Sequence, residues 1–463
     1  MFILYATSIL ACCIFGDKRL ERRFGYLVQR LGEGFGKSIP QSFIKRSEVK
    51  AAYNFFKHPR MEYHMIVSAE RARLVAQIEQ TLPPVVLCVQ DTTDLDYTGS
   101  RSSAKLKHLQ YEYQKGYYLH NHLMLDAQGN GLGIIDQYLW GREGEGLGSL
   151  KQQRKQRPYE EKESFRWLEQ FDLLQDSFGH LGQTLFIDIA DQEADIHELL
   201  QGRRHDHVHY IIRSRGDRSA HQSTAKVVDL IAGMPQQVAF EIEVTDDKTG
   251  KKRKALMAVR SGRQVIKASF RQKGHTPVLP TEVGIVLAQE ICPPAGIAEP
   301  LEWVLFTSLP LDSVEDAMQV IHWYMLRWRI EVFHYILKQG CSIEKLQLKE
   351  PTALQNAIAT YSLLSMQILQ LRYWQDAAPE APMQASGFDV KAYRAAAIYL
   401  NRWAGASYDT EKKQPTVADF IKVVGQLAGN MLWKNRPIGV KHLWTGLREL
   451  QVILNAFEAF DSG

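Results

Sequence analysis

Two short apolar runs, each followed by an acidic residue, are the features that most constrain the fold of this chain. Residues 85–89 (VVLCV) are followed two positions later by Asp91, and residues 185–189 (LFIDI) are followed in the same way by Asp191. Such runs predict strands buried on both faces, as in an α/β protein. If the strands are neighbours, the two carboxylates share one edge of a sheet and can hold a hard cation such as Mg²⁺. A lone aspartate after a strand is more often a turn former or helix cap, so neither position is informative alone.

A third acidic residue lies in an aromatic-rich segment that ends at Lys338. If this segment is one helix, its polar side chains at i, i+3, i+7 and i+14 form a single stripe, which comprises Tyr324, Arg327, Glu331 and Lys338. One acid with two bases suits a metal ligand flanked by groups that bind phosphate. The alternative is a solvated helix face with an Arg327–Glu331 pair. Tryptophans at positions 323 and 328 favour a largely buried helix instead.

The remaining pattern predicts helical segments on both sides of a strand-rich middle. Residues 16–80 and 352–463 have apolar residues at helical spacing, and Ser313 is placed to cap a long helix that runs to about Lys338. Strands are predicted at 120–125, 133–140, 209–215, 238–244, 254–260, 265–270 and 303–307, and another helix at 160–178. Residues 217–300 are therefore predicted to form a basic, strand-rich insertion.

The net charge hides an uneven distribution along the chain. The 463 residues include 56 Lys and Arg and 52 Asp and Glu, so the formal charge is only +4. However, residues 1–80 contain 13 basic and 7 acidic side chains, and residues 245–275 contain 10 basic and 2 acidic ones. The weak net charge alone would argue against a nucleic-acid partner, but two basic segments on an otherwise acidic chain are a pattern that an interpretation of function has to explain.

The cysteines and the N-terminus bear on the cellular compartment. The five cysteines are scattered and include no CxxC pair, which favours a reducing cytosol over a disulfide scaffold or a structural zinc module. Residues 1–15 are apolar enough to suggest a signal peptide, but no Lys or Arg precedes the run and its small-residue pattern is poor. A buried first helix or an imperfectly chosen start codon is the favoured interpretation, and no other run approaches the ~18 apolar residues of a membrane span.

Three motifs, in order and far apart, carry a family resemblance. QDTT around Asp91, DQEADIH from Asp191 and Y-x2-R-x3-E-x6-K from Tyr324 resemble the signatures of bacterial cut-and-paste DDE transposases, most closely insertion-sequence family four (the Tn-five-like, YREK group). The stretches GDKRLERR, KAAYNFFKHP, PLEWVLFTS and RPIGVKHLWTGLREL extend the similarity from about Gly16 towards the C-terminus. One departure is visible: the second motif commonly reads DREAD, and Gln192 replaces the arginine here.

The resemblance implies an α/β fold with an RNase H-like catalytic core and a mostly β insertion, flanked by helical domains. The implied division is an N-terminal DNA-end-binding domain (1–75), a catalytic domain (76–370, with the insertion at 217–300) and a C-terminal helical dimerisation domain (371–463). It also implies a bacterial cytoplasmic protein that associates with the nucleoid when bound to DNA, and no membrane partner.

The implied activity is DNA transposition at a site with two Mg²⁺ ions, for which Mn²⁺ is a substitute. Asp91, Asp191 and Glu331 would be the metal ligands and catalytic residues. One strand is nicked at the transposon end, the freed 3′-OH forms a hairpin, water opens the hairpin, and the final 3′-OH attacks target DNA. All four are in-line phosphoryl transfers, so one site can perform them. The implied partners are double-stranded transposon ends, target DNA and a second copy of the chain in a synaptic complex.

Further residues acquire DNA-binding roles through the resemblance. Tyr324, Arg327 and Lys338 match positions that hold the backbone near the cleaved bond, and Trp303 matches an aromatic that stacks on a flipped base, although periodicity alone favours a core tryptophan. The basic segments would add phosphate contacts. Those contacts would come from Arg19, Arg23, Lys37, Lys57, Arg213, Arg215, Lys251, Lys252, Arg253 and Lys254.

Three alternatives remain open from the sequence. His205, His207 and His209 alternate and could gather three imidazoles for zinc on one strand face, whereas His120 and His122 are predicted to lie simply on a strand. A metal-dependent DNA nuclease that does not transpose would use the same acids. A catalytically idle regulator that binds ends and dimerises would have no need of three clustered acids.

Overall fold

The protein is mixed α/β and divides into two compact units. The computed structural model describes residues 2–142, 162–202, 204–216, 218–245, 252–268, 278–294, 297, 299–430 and 438–461. The first unit comprises Met1–Thr81, Thr92–Gly148 and Arg329–Gly463, and the second comprises Leu82–Asp91 and Ser149–Trp328. In the part of the chain so described, no helix is both long and apolar enough to cross a membrane.

Helices open the first unit, as the sequence predicts. They are α1 (Phe2–Cys12), α2 (Lys18–Glu33), α3 (Arg46–Phe56) and α4 (Tyr63–Thr81). The expected buried first helix is present: Ile9 is fully buried, and a Cβ added at Gly25 of α2 would lie 2.2 Å from Leu10 Cδ1. The apolar N-terminus therefore packs as part of this helical module.

A long buried helix forms the core of the first unit. This helix, α10 (Pro351–Ala377), packs on α4 and on a hairpin of β2 (Gly116–Asp126) and β3 (Gly131–Trp140). It is buried on nearly every face along its middle, and its buried side chains include polar ones such as Asn356 and Ser362. The predicted helical C-terminal region is confirmed as α11 (Val390–Trp403), α12 (Val417–Leu427) and α13 (Val440–Asp461).

A large sheet dominates the second unit. Its order is β1-β4-β5-β9-β8-β7-β6, with parallel pairs β1–β4 and β4–β5 and antiparallel pairs from β5 onwards. The strands are β1 (Val85–Asp96, whose last five residues belong to the first unit), β4 (Leu185–Ala190), β5 (Val208–Arg213), β6 (Val238–Thr245), β7 (Lys252–Ile266), β8 (Thr281–Ile291) and β9 (Glu302–Thr307). Its helices are α5 (Phe165–Phe178), α6 (His197–Gln201), α7 (Val227–Ala232) and α8 (Val314–Met325). The predicted insertion thus extends this sheet by β6, β7 and β8.

One expectation within the insertion is wrong. The predicted pair of strands at 254–260 and 265–270 is a single strand, β7, as far as Ile266. Gly262 does not mark a turn. It sits against α7 and the residues that follow it, since an added Cβ would lie 3.1 Å from Ile231 and 3.2 Å from Met234. A glycine inside a strand commonly marks such a close approach.

The predicted long helix from Ser313 to Lys338 is also wrong beyond its first half. Ser313 caps α8 as expected, because its Oγ accepts a hydrogen bond from Asp316 N. At the other end, Leu326 N and Arg327 N donate to the carbonyls three residues earlier (3.0 and 2.9 Å), a tight turn that ends α8. The chain then forms α9 (Trp328–Tyr335) and a π-helical turn (Ile336–Gly340). The single polar stripe therefore does not exist.

Candidate active site

Asp91 and Asp191 each lie two residues after the last paired position of two adjacent parallel strands. β1 and β4 pair from Val85 opposite Leu185 to Val89 opposite Ile189 at a constant offset, and the same offset continued by two residues would bring Asp91 level with Asp191, which directly follows β4. Hydrogen-bonded strands are ~4.8 Å apart, so two carboxylates at one level occupy one small region. Asp91 does not end its strand as expected, since β1 continues to Asp96. Both residues are half-buried and retain access to solvent.

The turn after β4 is organised by its own carboxylates. Asp191 Oδ1 accepts a hydrogen bond from Glu193 N (2.8 Å) and caps a 3₁₀ turn. Asp195, four residues later, accepts from Ser214 Oγ (3.0 Å) and Arg215 N (3.1 Å), and pairs with Arg218 through Nε (2.6 Å). Asp195 therefore ties the loop after β5 to the turn that carries Asp191.

The end of α8 brings an aromatic and a basic side chain to the aspartates. Arg327 Nη1 lies 3.4 Å from Asp91 Oδ2, with both side chains less than one-fifth exposed. Tyr324 is buried, and its ring makes an edge contact with Trp303 on β9 at a centroid distance of 6.0 Å. Burial raises the pKa of Tyr324, while the nearby cations of Arg327 and Arg213 oppose that rise and Asp191 adds to it. The Tyr324 hydroxyl therefore lies near the charges of Asp191, Arg327 and Arg213.

Arg213 and Arg215 lie just beyond the same sheet edge. Arg213, the last residue of β5, donates from Nη2 to the Glu302 carbonyl (3.3 Å). Arg215 is exposed, and its Nε donates to the Gln192 carbonyl at 3.1 Å. A guanidinium thus reaches the turn at which Gln192 supplies no charge.

The remaining two residues of the third motif belong to the first unit. Glu331 lies half-buried near the middle of α9. Lys338 lies in the π-helical turn, where its Nζ donates to the Asp94 carbonyl (2.8 Å) and lies 3.6 Å from a carboxylate oxygen of Glu344. The same Glu344 oxygen accepts from Asp96 N (2.9 Å), so these contacts tie Lys338 to the end of β1.

The basic run of β7 is matched by carboxylates. Arg253 forms a two-pronged pair with the buried carboxylate of Glu290, and the exposed side chains of Lys252 and Lys254 pair with Glu243 and Glu241 on β6. Lys251 lies outside the described residues. Alternation along the strand explains the pattern, because Lys252 and Lys254 share one face and Arg253 points to the other.

The N-terminal cations line the helical module. Arg19 and Arg23 are exposed on α2, Lys57 is exposed at the C-terminal end of α3, and Lys37 is half-buried between these helices in the chain. Their heads are accessible to a phosphate backbone, while the opposite face of α2 is buried through Phe24, Leu27 and Leu31.

The donor set at Asp91 and Asp191 fits a hard divalent cation. The two residues offer carboxylate oxygens, the preferred ligands of Mg²⁺, which needs only one or two protein carboxylates and retains waters. Within the described ranges, no three His, Cys, Asp or Glu side chains are gathered closely enough to hold a metal by themselves.

The alternating histidines are engaged with protein groups. His207 Nε2 lies 3.3 Å from the Phe178 carbonyl, and His209 Nδ1 lies 3.1 Å from Ser308 Oγ. Burial lowers the pKa of His209. The zinc alternative therefore loses its support. His120 and His122 lie on β2 as predicted.

Sequence reasoning missed Asp195, although the residue lies inside the DQEADIH motif. Its buried pairing with Arg218 depends on a partner 23 residues away, which periodicity does not reveal. The available signal in the sequence was a second aspartate only four residues after Asp191.

Two family models match the chain. The model for transposase DNA-binding matches residues 4–61, which contain most of α1 and all of α2 and α3. The model for the transposase DDE domain matches residues 153–366, which include Asp191 and Glu331. Asp91 lies outside both matched ranges.

Proposed function

We propose that this chain is a cut-and-paste transposase of insertion-sequence family four, YREK group. The two matched domains, one for DNA binding and one of the DDE type, support a metal-dependent DNA transposase. It binds the terminal inverted repeats of its element, excises the element by nicking, hairpin formation and hairpin opening, and joins the 3′-OH ends to target DNA. The catalytic core within residues 76–370 is of the RNase H-like type, preceded by a DNA-end-binding domain (1–75) and followed by a dimerisation domain (371–463).

The observation that carries this proposal is the meeting of two carboxylates with a phosphate-binding group at one sheet edge. Asp91 on β1 and Asp191 directly after β4 both follow the paired segment of these strands at the same offset, and Arg327 Nη1 lies 3.4 Å from the Asp91 carboxylate. A guanidinium held there can bind a DNA phosphate while the acids hold cations, which is the charge arrangement that phosphodiester chemistry requires.

Asp91, Asp191 and Glu331 are proposed as the ligands of two Mg²⁺ ions. Bound divalent cations lower the pKa of an attacking water and stabilise charge on the leaving oxygen. The chain's own part is orientation: Arg327 and Lys338 hold the non-bridging phosphate oxygens, and Tyr324, anchored by burial, presents its hydroxyl to the same backbone. Trp303, half-buried and in contact with Tyr324, is proposed to stack on a base that leaves the duplex when the hairpin forms.

The DNA-binding surface is proposed to include the N-terminal module and the loop after β5. Arg19, Arg23, Lys37 and Lys57 contact the element end, and Arg213 and Arg215 contact DNA beside the acids. On β7, Lys252 and Lys254 must exchange their carboxylate partners for phosphate in order to bind DNA. Arg253 is paired with Glu290. The helices of residues 371–463 are proposed to pair two copies in a synaptic complex.

The test is incubation of the full chain with Mg²⁺ and a DNA that carries its own element's terminal inverted repeats. The expected products are hairpin-ended fragments and excised ends, resolved on denaturing gels. The Glu331→Ala variant should bind this DNA with unchanged affinity and form none of these products.

Each other outcome points to a different activity. Cutting without hairpins or strand transfer would indicate a nuclease that does not transpose. Binding without cutting would indicate an idle end-binding regulator. Cutting that survives in Glu331→Ala would contradict the proposed metal ligands.

A further inference from the structure

The helix that carries Glu331 is too short to fix its own orientation. α9 has eight residues and leads into a π-helical turn, whereas isolated helices below about 12 residues are marginal in water. Its rotation must therefore be set by tertiary contacts. Any rotation moves the Glu331 carboxylate, and a metal ligand must be placed within a few tenths of an ångström.

A buried polar chain connects α9 to the rest of the first unit. Asn121 Nδ2 lies 2.9 Å from His334 Nε2, Gln137 Nε2 lies 2.6 Å from Asn121 Oδ1, and the same Gln137 nitrogen lies 2.9 Å from Ser362 Oγ. The chain thus runs from α9 through β2 and β3 to α10. All four side chains are less than one-tenth exposed.

The donors and acceptors in this row of buried polar side chains fix the direction of each hydrogen bond. Ser362 Oγ donates to the Ile358 carbonyl (2.9 Å), so it accepts from Gln137, whose amide nitrogen can only donate. The Gln137 amide also donates to the Asn121 oxygen, which leaves the Asn121 amide nitrogen facing His334. Since that nitrogen is a donor too, His334 Nε2 must accept the hydrogen bond.

His334 stands next to Glu331 on the helix surface. Residues three apart are neighbours on one face, with Cβ atoms about 5–6 Å apart. On the other side of Glu331, the guanidinium of Arg329 lies over the ring of Tyr373 on α10 at 3.4 Å from the centroid. Both anchors hold α9 against the same scaffold, and His334 does so through a hydrogen bond of fixed direction.

We propose that His334 is a positioning residue for Glu331. Its hydrogen bond with Asn121 sets the rotation of α9, so that the Glu331 carboxylate meets a divalent cation without reorganisation. This inference rests on the proposed function, because it assumes that Glu331 is a metal ligand.

The test measures Mn²⁺ binding by calorimetry on the full chain with a double-stranded oligonucleotide, with no turnover required. The reference is the difference between wild type and Glu331→Ala, which defines the Glu331-dependent site. His334→Leu, which keeps bulk and loses the acceptor, should weaken Mn²⁺ binding about tenfold, as loss of an outer-sphere partner does. His334→Gln restores an acceptor and should bind within about twofold of wild type. Ser362→Ala, a mild change at the far end of the chain, should weaken binding about threefold.

Asn356→Leu is the matched control for the stability of the unit. Asn356 is fully buried on α10 and donates to the Phe56 and Met61 carbonyls, away from the polar chain of α9. This variant should melt at a lower temperature and bind Mn²⁺ as wild type does.

The outcomes separate the two proposals. If Glu331→Ala weakens Mn²⁺ binding while both His334→Leu and Ser362→Ala bind normally, the positioning role is wrong and the proposed function stands. If Glu331→Ala binds like wild type, the proposed metal site itself is wrong. Equal loss in His334→Leu and His334→Gln would also overturn the role assigned to the acceptor.

Discussion

Asp191 and Asp195 lie four residues apart on one turn and have different environments. Asp191 is half-buried with its carboxylate at the open sheet edge, where it can meet a cation. The side chain of Asp195 is 2 % exposed, and its oxygens accept hydrogen bonds from Ser214 and Arg215 and pair with Arg218. One acid is thus available for chemistry because the other fixes the turn and the loop that holds Arg215.

Replacement of Asp195 should therefore act first on stability. In Asp195→Asn the Arg218 cation loses its buried partner, and breaking such a pair costs about 3 kcal/mol. Urea denaturation should show this loss. The control is Glu282→Gln in the pair with Arg263, whose side chains are 59 % and 41 % exposed, and it should cost about 0.5 kcal/mol or less. Equal losses in the two variants would contradict the structural role of Asp195.

Short buried strands and capped helix starts were predictable from sequence, whereas interruptions of elements were not. β1 and β4 follow directly from short, largely apolar runs, and the cap at Ser313 follows from its side chain. The end of α8 depends instead on two backbone hydrogen bonds at Leu326 and Arg327, in a segment whose composition favours continued helix. The unbroken β7 depends on the packing of α7 against Gly262, which no local pattern encodes.

In the candidate site, too, features of the local sequence were predictable and features that depend on tertiary structure were not. The motifs singled out Asp91, Asp191 and Arg327 from the local sequence, and the structure places Arg327 Nη1 3.4 Å from Asp91 Oδ2, while their catalytic roles stay predictions. The pairing of Arg253 with Glu290 could not be predicted, because the two residues are 37 positions apart and meet only through the register of β7 and β8.

The β7–β8 pair should give stability a pH dependence. The hydrogen bonds from Arg253 lower the pKa of Glu290 below its ordinary value, although burial acts to raise it. A carboxyl with a lowered folded-state pKa contributes stability above its unfolded pKa of about 4.3, and this contribution is lost as the pH falls through the folded value. The free energy of unfolding of wild type minus that of Glu290→Gln should therefore be constant near neutral pH and shrink below about pH 4.

Urea denaturation at a series of pH values measures that difference. A gap between wild type and Glu290→Gln that persists unchanged into the acid range would show that the carboxylate charge contributes nothing. A gap that widens as the pH falls would show that the pKa of Glu290 is raised in the folded chain.

At the scale of the whole molecule, the small net charge conceals where DNA should bind. The excess of basic residues in the N-terminal segment lies on a helical module whose exposed face carries Arg19 and Arg23. Around β7, by contrast, Lys252 and Lys254 are paired with carboxylates. The 13 basic residues of the N-terminal segment and the 10 around β7 therefore have different capacities for phosphate. The sequence locates the basic segments, but only the register of β6 and β7 reveals which cations already have anionic partners.

Salt dependence of DNA binding distinguishes the two segments. Each cation that contacts a phosphate adds about 0.9 to the slope of the logarithm of the association constant against that of salt concentration. Alanine at Arg19, Arg23, Lys37 and Lys57 together should therefore flatten the slope by about 0.9 for each residue in contact, and weaken binding at low salt. Lys252→Ala with Lys254→Ala is the comparison, and should flatten the slope less because each lysine must give up Glu243 or Glu241 to bind phosphate. Fluorescence anisotropy with labelled duplex across a salt series measures both. An unchanged slope in the N-terminal variant, with a flattened one in the β7 variant, would place the main DNA contact on the sheet and contradict the assignment to the N-terminal module.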